Sequence, residues 1–295
     1  YKKNPPYAYI IPRQQHDPMS AVNMLQRFAF NGVRIEALAK PAIYGNVTYP
    51  AGTWVIPMAQ EFAQLVKQLM DPQDYPDLRE FPGGPPEQPY DAAGWTLPYQ
   101  MNVQVVEARE PLTDAFTSAL APVVGTPTDW HNAPDAPFTT NAEAAGITAL
   151  PGAISGTGTV ISLDPAQTNA FRFMNRALTD GASLSFAPGG NGRSGQYLVS
   201  GLAPATADAL AKELYVQGQR VAAGVREGAV CPRIAVDKPW TASMDEGWTQ
   251  WLRDQYDFKY TVLTNADIQA GHLDARFDVI LMASPLTHIT GYLYG

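Results

Sequence analysis

Apolar positions along this chain alternate between strand-like runs and helical spacing, and the switches mark its elements. The run AYIIP (8–12) is followed by a polar loop, RQQHDPM, and then by Val22, Leu25, Phe28 and Ala29 at helical spacing. Asn31-Gly32 reads as the stop of that helix, and Val33 to Leu38 as a strand. The same plan recurs in GTVISLDP (158–165), the helix NAFRFMNRALT and the segment DGASLSF. Arg27 aligns with Arg176, and Gly32 with Gly181. YPAGTWVIP (49–57) then matches RSGQYLVSG (193–201), and QLVKQL (64–69) matches ALAKEL (209–214). These shared positions predict an internal duplication of β-α-β-β-α units, over residues 8–70 and 158–214. The plainer account is that any two β-α-β units look alike.

A third pattern follows: PRIAVDKPW, a helix over 243–256, FKYTVLT, a short helix in NADIQAGHL, and FDVILMAS. This β-α-β-α-β alternation builds a parallel, doubly wound sheet. The fold class is therefore α/β. Residues 1–108 form the first α/β unit, 109–157 a looser connection, 158–230 the second repeat, and 231–295 the parallel-sheet part. Within the first, prolines punctuate 71–101 too often for a helix or a central strand. Its tyrosines and Trp95 are too many aromatics for a free linker, so this stretch is expected to wrap across the body with its rings buried.

Composition narrows the function. The net charge of −8 is spread without a basic block, which argues against nucleic acid or an anionic membrane as partner. No apolar run reaches the ~20 residues of a membrane span. Cys231 is the only cysteine, so neither an intrachain disulfide nor a thiolate metal cluster is available. It sits just before a strand and reads as a small buried hydrophobe. Both ends of the chain, which opens at Tyr1 and closes on SPLTHITGYLYG, read as cut from a longer polypeptide.

Several chemistries find no motif. None of His16, His131, His272 and His288 has a Glu three residues on or a second His four residues on, so no zinc site is expected. There is no G-x-S-x-G elbow for a serine nucleophile, and Cys231 lies on no such turn. SGTGTVIS (155–162) precedes a strand instead of following one, the wrong context for a dinucleotide phosphate. PGGNGRSG (188–195) reads as a hairpin. No catalytic residue and no metal ligand is assigned.

The stretch KPWTASMDEGWTQWL (238–252) is the densest in aromatics and charge. Ser243-x-x-Glu246 is a capping box, and acids suit the positive end of a helix. Met244, Trp248, Trp251 and Leu252 share one helical face, which is expected to be buried. Lys238 and Trp240 stand outside that account. They follow the carboxyl end of the strand RIAVD, where open α/β sheets place their ligands. Arg13, Gln15 and His16 occupy the matching loop of the first unit. These five residues are the candidates for ligand binding.

YPAGTWVIPMAQEF, the proline-rich segment 71–101 and PRIAVDKPWTASMDEGWTQWLRDQYDF with ADIQAGHLDARFDVI together carry a resemblance. Over roughly residues 5–283 the chain resembles the region after the catalytic domain in large bacterial zinc carboxypeptidase-like proteins, of the carboxypeptidase A type. The resemblance implies a flavodoxin-like, class I glutamine amidotransferase-like unit without its nucleophile, and export to the periplasm or beyond. It implies zinc in a peptidase domain of the same polypeptide, and none here. The expected role is a non-catalytic accessory region that docks on that domain or shapes access to it. The alternative is a free-standing module for peptide or glycan.

Overall fold

The computed structural model describes residues 5–73, 76–87, 94–123, 147–189, 195–222, 227–228 and 231–283. The chain divides into two compact units, Tyr1–Leu150 and Pro151–Gly295. Part of the stretch read from sequence as a connection, 109–157, is sheet: Leu120–Pro122 in the first unit and Ala153–Gly156 in the second.

In the first unit the elements run β1 (Ala8–Ile11), α1 (Pro18–Phe30), β2 (Glu36–Leu38), β3 (Ala42–Tyr44), β4 (Val47–Tyr49), β5 (Trp54–Pro57), α2 (Ala63–Met70), α3 (Leu97–Gln100), β6 (Val106–Ala108), α4 (Asp114–Thr117) and β7 (Leu120–Pro122). Five strands form one sheet in the order β6-β1-β5-β2-β7. Its neighbours are all antiparallel. β1 and β2 thus run parallel but are separated by β5, a split β-α-β arrangement. All four residues of β1 are buried. Ala8 and Ile10 face a cluster with Tyr49 of the β3-β4 hairpin and Phe116 of α4. Alternation turns Tyr9 the other way, where its hydroxyl donates to Asp71 at the end of α2.

In the second unit the elements run β8 (Ala153–Gly156), β9 (Val160–Leu163), α5 (Thr168–Thr179), β10 (Ser183–Ala187), β11 (Gln196–Ser200), α6 (Pro204–Leu214), β12 (Gln217–Val221), β13 (Glu227–Gly228), β14 (Ile234–Asp237), α7 (Met244–Gln255), β15 (Thr261–Leu263), α8 (Asn265–Gln269), α9 (Leu273–Arg276) and β16 (Val279–Leu281). The first sheet has the order β13-β10-β11-β9-β12-β8. Phe173, Met174 and Ala177 of α5 and Leu210 and Leu214 of α6 bury against its Ile161, Leu163 and Val199. The turn between β10 and β11, residues 190–194, lies outside the described residues, but the two strands pair antiparallel.

Reduced to their common part, the two sheets have one topology. Each is β-α-β-β-α-β: β1-α1-β2-β5-α2-β6 and β9-α5-β10-β11-α6-β12. In each the last strand lies beside the first and the third sits between first and second. This is the ferredoxin-like arrangement. The fourth strand was not expected from sequence. The helix stops also correspond. Asn31, Gly32 and Val33 donate backbone N–H to Arg27, Ala29 and Phe28 at 3.2, 3.0 and 3.1 Å. Asp180, Gly181 and Ala182 donate to Arg176, Leu178 and Ala177 at 3.1, 3.1 and 3.0 Å. Gly32 and Gly181 have φ of +86° and +85°, the left-handed region that a Cβ disfavours.

The last sheet is parallel, in the order β15-β14-β16. No helix among the described residues is long and apolar enough to cross a membrane.

Three burial expectations are corrected. Phe81 and Tyr99 of the proline-rich stretch are exposed and Trp95 is half-buried, because α3 and the single bridge Arg79–Pro86 run at the surface. Tyr75 and Tyr90 lie outside the described residues. Cys231 is exposed, since it precedes β14 instead of entering it. The third correction, on α7, belongs to the site below.

Candidate functional site

β14 owes its central place to the sequence IAVD, apolar enough to be covered on both sides. Its connection through α7 leads to β15 on one side, and the return through α8 and α9 leads to β16 on the other. The carboxyl end of β14 is therefore the point where the two crossovers part, the usual ligand position of an open parallel sheet. Asp237 stands there, 1 % exposed, and neither of its carboxylate oxygens has a partner among the described residues. On the adjoining strand end, the first residue of α8, Asn265, buries an amide oxygen that also lacks one. A buried acceptor left unmet costs roughly 1–3 kcal/mol, so this edge, with no partner for either group among the described residues, is the candidate polar seat.

Lys238 continues the ladder by donating its backbone N–H to the Leu263 carbonyl at 2.8 Å, and its side chain is exposed. Trp240 is 83 % exposed, as a ring placed before the helix cap and off its apolar stripe should be. Both are thus free at the carboxyl edge. Asp237 and Asn265 were missed from sequence: an Asp closing an apolar strand looks like any strand end, and only packing shows it buried with no partner among the described residues.

α7 starts as its sequence predicts and faces as it does not. Ser243 caps it by accepting the Glu246 backbone N–H at 3.4 Å. The Glu246 carboxylate does not close the box; it accepts from the Gln250 side chain. The complete capping box lies on α8, between Thr264 and Asp267. Against expectation, Trp248 is 64 % and Trp251 50 % exposed, with Met244 and Leu252 exposed beside them. The buried and half-buried positions are Glu246, Thr249, Gln250 and Arg253, which also share one helical face. Periodicity tells which residues share a face. It does not tell which way that face turns, and here the polar one turns inward, with Tyr260 donating to Gln250 at 3.4 Å and to Asp254 at 3.0 Å. The two indoles meet edge to face, centroids 5.7 Å apart.

In the first unit, the loop between β1 and α1 is used for structure. Arg13 lies over the Trp54 ring at 5.1 Å and donates to the Thr148 carbonyl at 2.5 Å. Burial lowers its affinity for the proton. Gln15 accepts the Gln104 backbone N–H at 2.7 Å and donates to the Gln104 carbonyl at 3.1 Å. This two-point amide clamp fixes the start of β6 to the loop. His16 is exposed. Gln167 does in the second unit what Gln15 does in the first, accepting from Gln217 N–H at 2.7 Å and donating to its carbonyl at 2.8 Å. Of the five candidates, Lys238 and Trp240 share one loop, and Arg13, Gln15 and His16 another in the other unit.

Among the described residues, no three His, Cys, Asp or Glu side chains converge to hold a metal ion. His131 and His288 lie outside those residues. The chain matches no family of known proteins, no curated sequence and no solved structure.

Proposed function

We propose that this chain is a non-catalytic accessory region of an exported zinc carboxypeptidase-like protein, docked on the peptidase domain of the same polypeptide through α7. The observation that carries this reading is the outward apolar face Met244, Trp248, Trp251 and Leu252. Adjacent exposed tryptophans mark association surfaces, since large rigid rings gain most from being covered. The sequence resemblance supplies the occupant. Zinc belongs to that domain's residues in this reading, and none is drawn from this chain.

The finer fold belongs to the same proposal. The two ferredoxin-like sheets arose by duplication, a view supported by the shared strand order, the matching glycine stops and the paired glutamine clamps. The parallel sheet is the beginning of an amidotransferase-like, flavodoxin-like unit, a view supported by its strand order.

The test is association in trans. Mixed with the separately produced peptidase domain, the chain should form a 1:1 complex in analytical ultracentrifugation, and the Trp248→Ala/Trp251→Ala variant should not. A wild-type mixture that sediments as two free species defeats the reading.

A second reading, a peptide- or glycan-binding module, is favoured by the free ring of Trp240 beside Lys238. It predicts that soluble peptides or oligosaccharides quench tryptophan fluorescence, and that Trp240→Phe abolishes the quenching while the double variant retains it.

A further inference from the structure

The amino edge of the parallel sheet, opposite the site described above, opens on a cleft of about 650 Å³ in the second unit. That volume lies within the range of small-molecule sites. Its far wall is α5, with Phe171, Met174 and Leu178, and the β11 ring of Tyr197. Phe171 meets Tyr197 edge to face at 5.8 Å and Phe258 at 6.4 Å, so much of the lining is aromatic.

Three cations border this lining, one ahead of each parallel strand: Arg233 before β14, Lys259 before β15 and Arg276 before β16. The order β15-β14-β16 sets their backbones side by side along the edge. They are not equally engaged. Arg233 is held by Asp278 through two nitrogens, at 2.8 and 3.1 Å. Among the described residues that line the cleft Asp257 is the one carboxylate, and it is taken by Arg172 and Arg176, each at 2.9 Å. Among the described residues neither Lys259 nor Arg276 makes a direct ion pair; Arg276 lies over the Phe277 ring at 4.8 Å, and its charge helps to lower the Asp267 carboxyl. Exposed Lys and Arg are ordinarily just solvated. Here two of them, with no direct ion pair among the described residues, border a partly aromatic cleft on a chain whose net charge is −8.

We propose that this cleft binds a small aromatic carboxylate, its flat body against Phe171 and Phe258 and its anion turned toward Lys259 and Arg276. Aromatic walls recognise the body at low conformational cost. The two cations at the rim supply charge-assisted hydrogen bonds that a neutral analogue cannot form. The site is independent of the α7 face and of the parent protein's activity.

Isothermal titration of the full chain tests this, with 2-naphthoate as the anion and 2-naphthalenemethanol as its neutral counterpart. Naphthoate should bind saturably at one site, more tightly than the alcohol. Lys259→Ala and Arg276→Ala remove exposed side chains and should leave the circular dichroism spectrum unchanged. Each should weaken naphthoate by roughly tenfold, the effect of one charged contact, and leave the alcohol's affinity as it was. Weakening by either substitution, specific to the anion, supports the site. Non-saturable binding, or naphthoate affinity unchanged in both variants, overturns it.

Discussion

Phe173 and Trp248 set the limits of what a residue's type says about its place. Both are large rings on helices, at apolar positions of an amphipathic pattern. Phe173 is fully buried under the first sheet of the second unit, while Trp248 faces solvent. Phe173→Ala should therefore cost about 3–5 kcal/mol in urea unfolding, the usual price of a core cavity. Trp248→Ala should cost less than about 1 kcal/mol, as surface changes do. The glutamine clamps make a second prediction. Gln167→Ala strips both partners from the Gln217 backbone and should destabilise the protein by about 1–3 kcal/mol. Some of this was legible in the sequence. Gly32 and Gly181 could be read as helix stops because few other residues tolerate their backbone angles. Gln15 could not be read as a clamp. Its partner lies 89 residues on, and a polar residue in a loop looks the same whether it holds a ligand or a strand.

At the scale of elements, local pattern found the longer helices and missed the four-residue ones, among them α3 in the proline-rich stretch where no helix was expected, and it failed on strand pairing. Each ferredoxin-like sheet places its fourth strand beside its first across most of the unit. No periodicity encodes that neighbour, and β6 is three residues long. The parallel sheet was more legible, because helical crossovers between short apolar strands leave few alternatives to it. One link between elements has a pH signature. Arg172 and Arg176 on α5 both donate to Asp257, in the turn after α7. Burial raises the Asp257 carboxyl, but the two guanidiniums outweigh it and hold it below its ordinary value of 3.8. A carboxyl depressed in the folded state stabilises above its ordinary value, and that stabilisation is lost as pH falls through the lower, folded value. The unfolding free energies of wild type and Asp257→Asn should thus differ by a constant amount, on the order of 1 kcal/mol after solvent screening, from about pH 7 to pH 5. The difference should shrink below about pH 4. A difference that grows on acidification would rule out the ion-paired role.

At the scale of the molecule, each unit carries a hydrophobic cluster of its own, around Ile10, Val55 and Phe116 in the first and around Phe173, Val199 and Leu214 in the second. Residues 151–295 produced alone should therefore unfold in a single cooperative transition, followed by circular dichroism in urea. A gradual, non-cooperative loss of signal would show that the second unit depends on the first.

The paired glutamine clamps carry a liability for a chain still searching for its fold. Gln15 grips Gln104, just ahead of β6, and Gln167 grips Gln217, the first residue of β12, each by backbone N–H and carbonyl, groups that every extended segment presents alike. We predict that a half-folded sheet in either unit takes up the closing strand of the other, and that between two chains the same exchange gives a swapped dimer. Only the side chains of the two closing strands tell them apart, VEA in one and QGQRV in the other. Misassembly should increase with protein concentration during refolding, and the divergence between the two closing strands is what limits it.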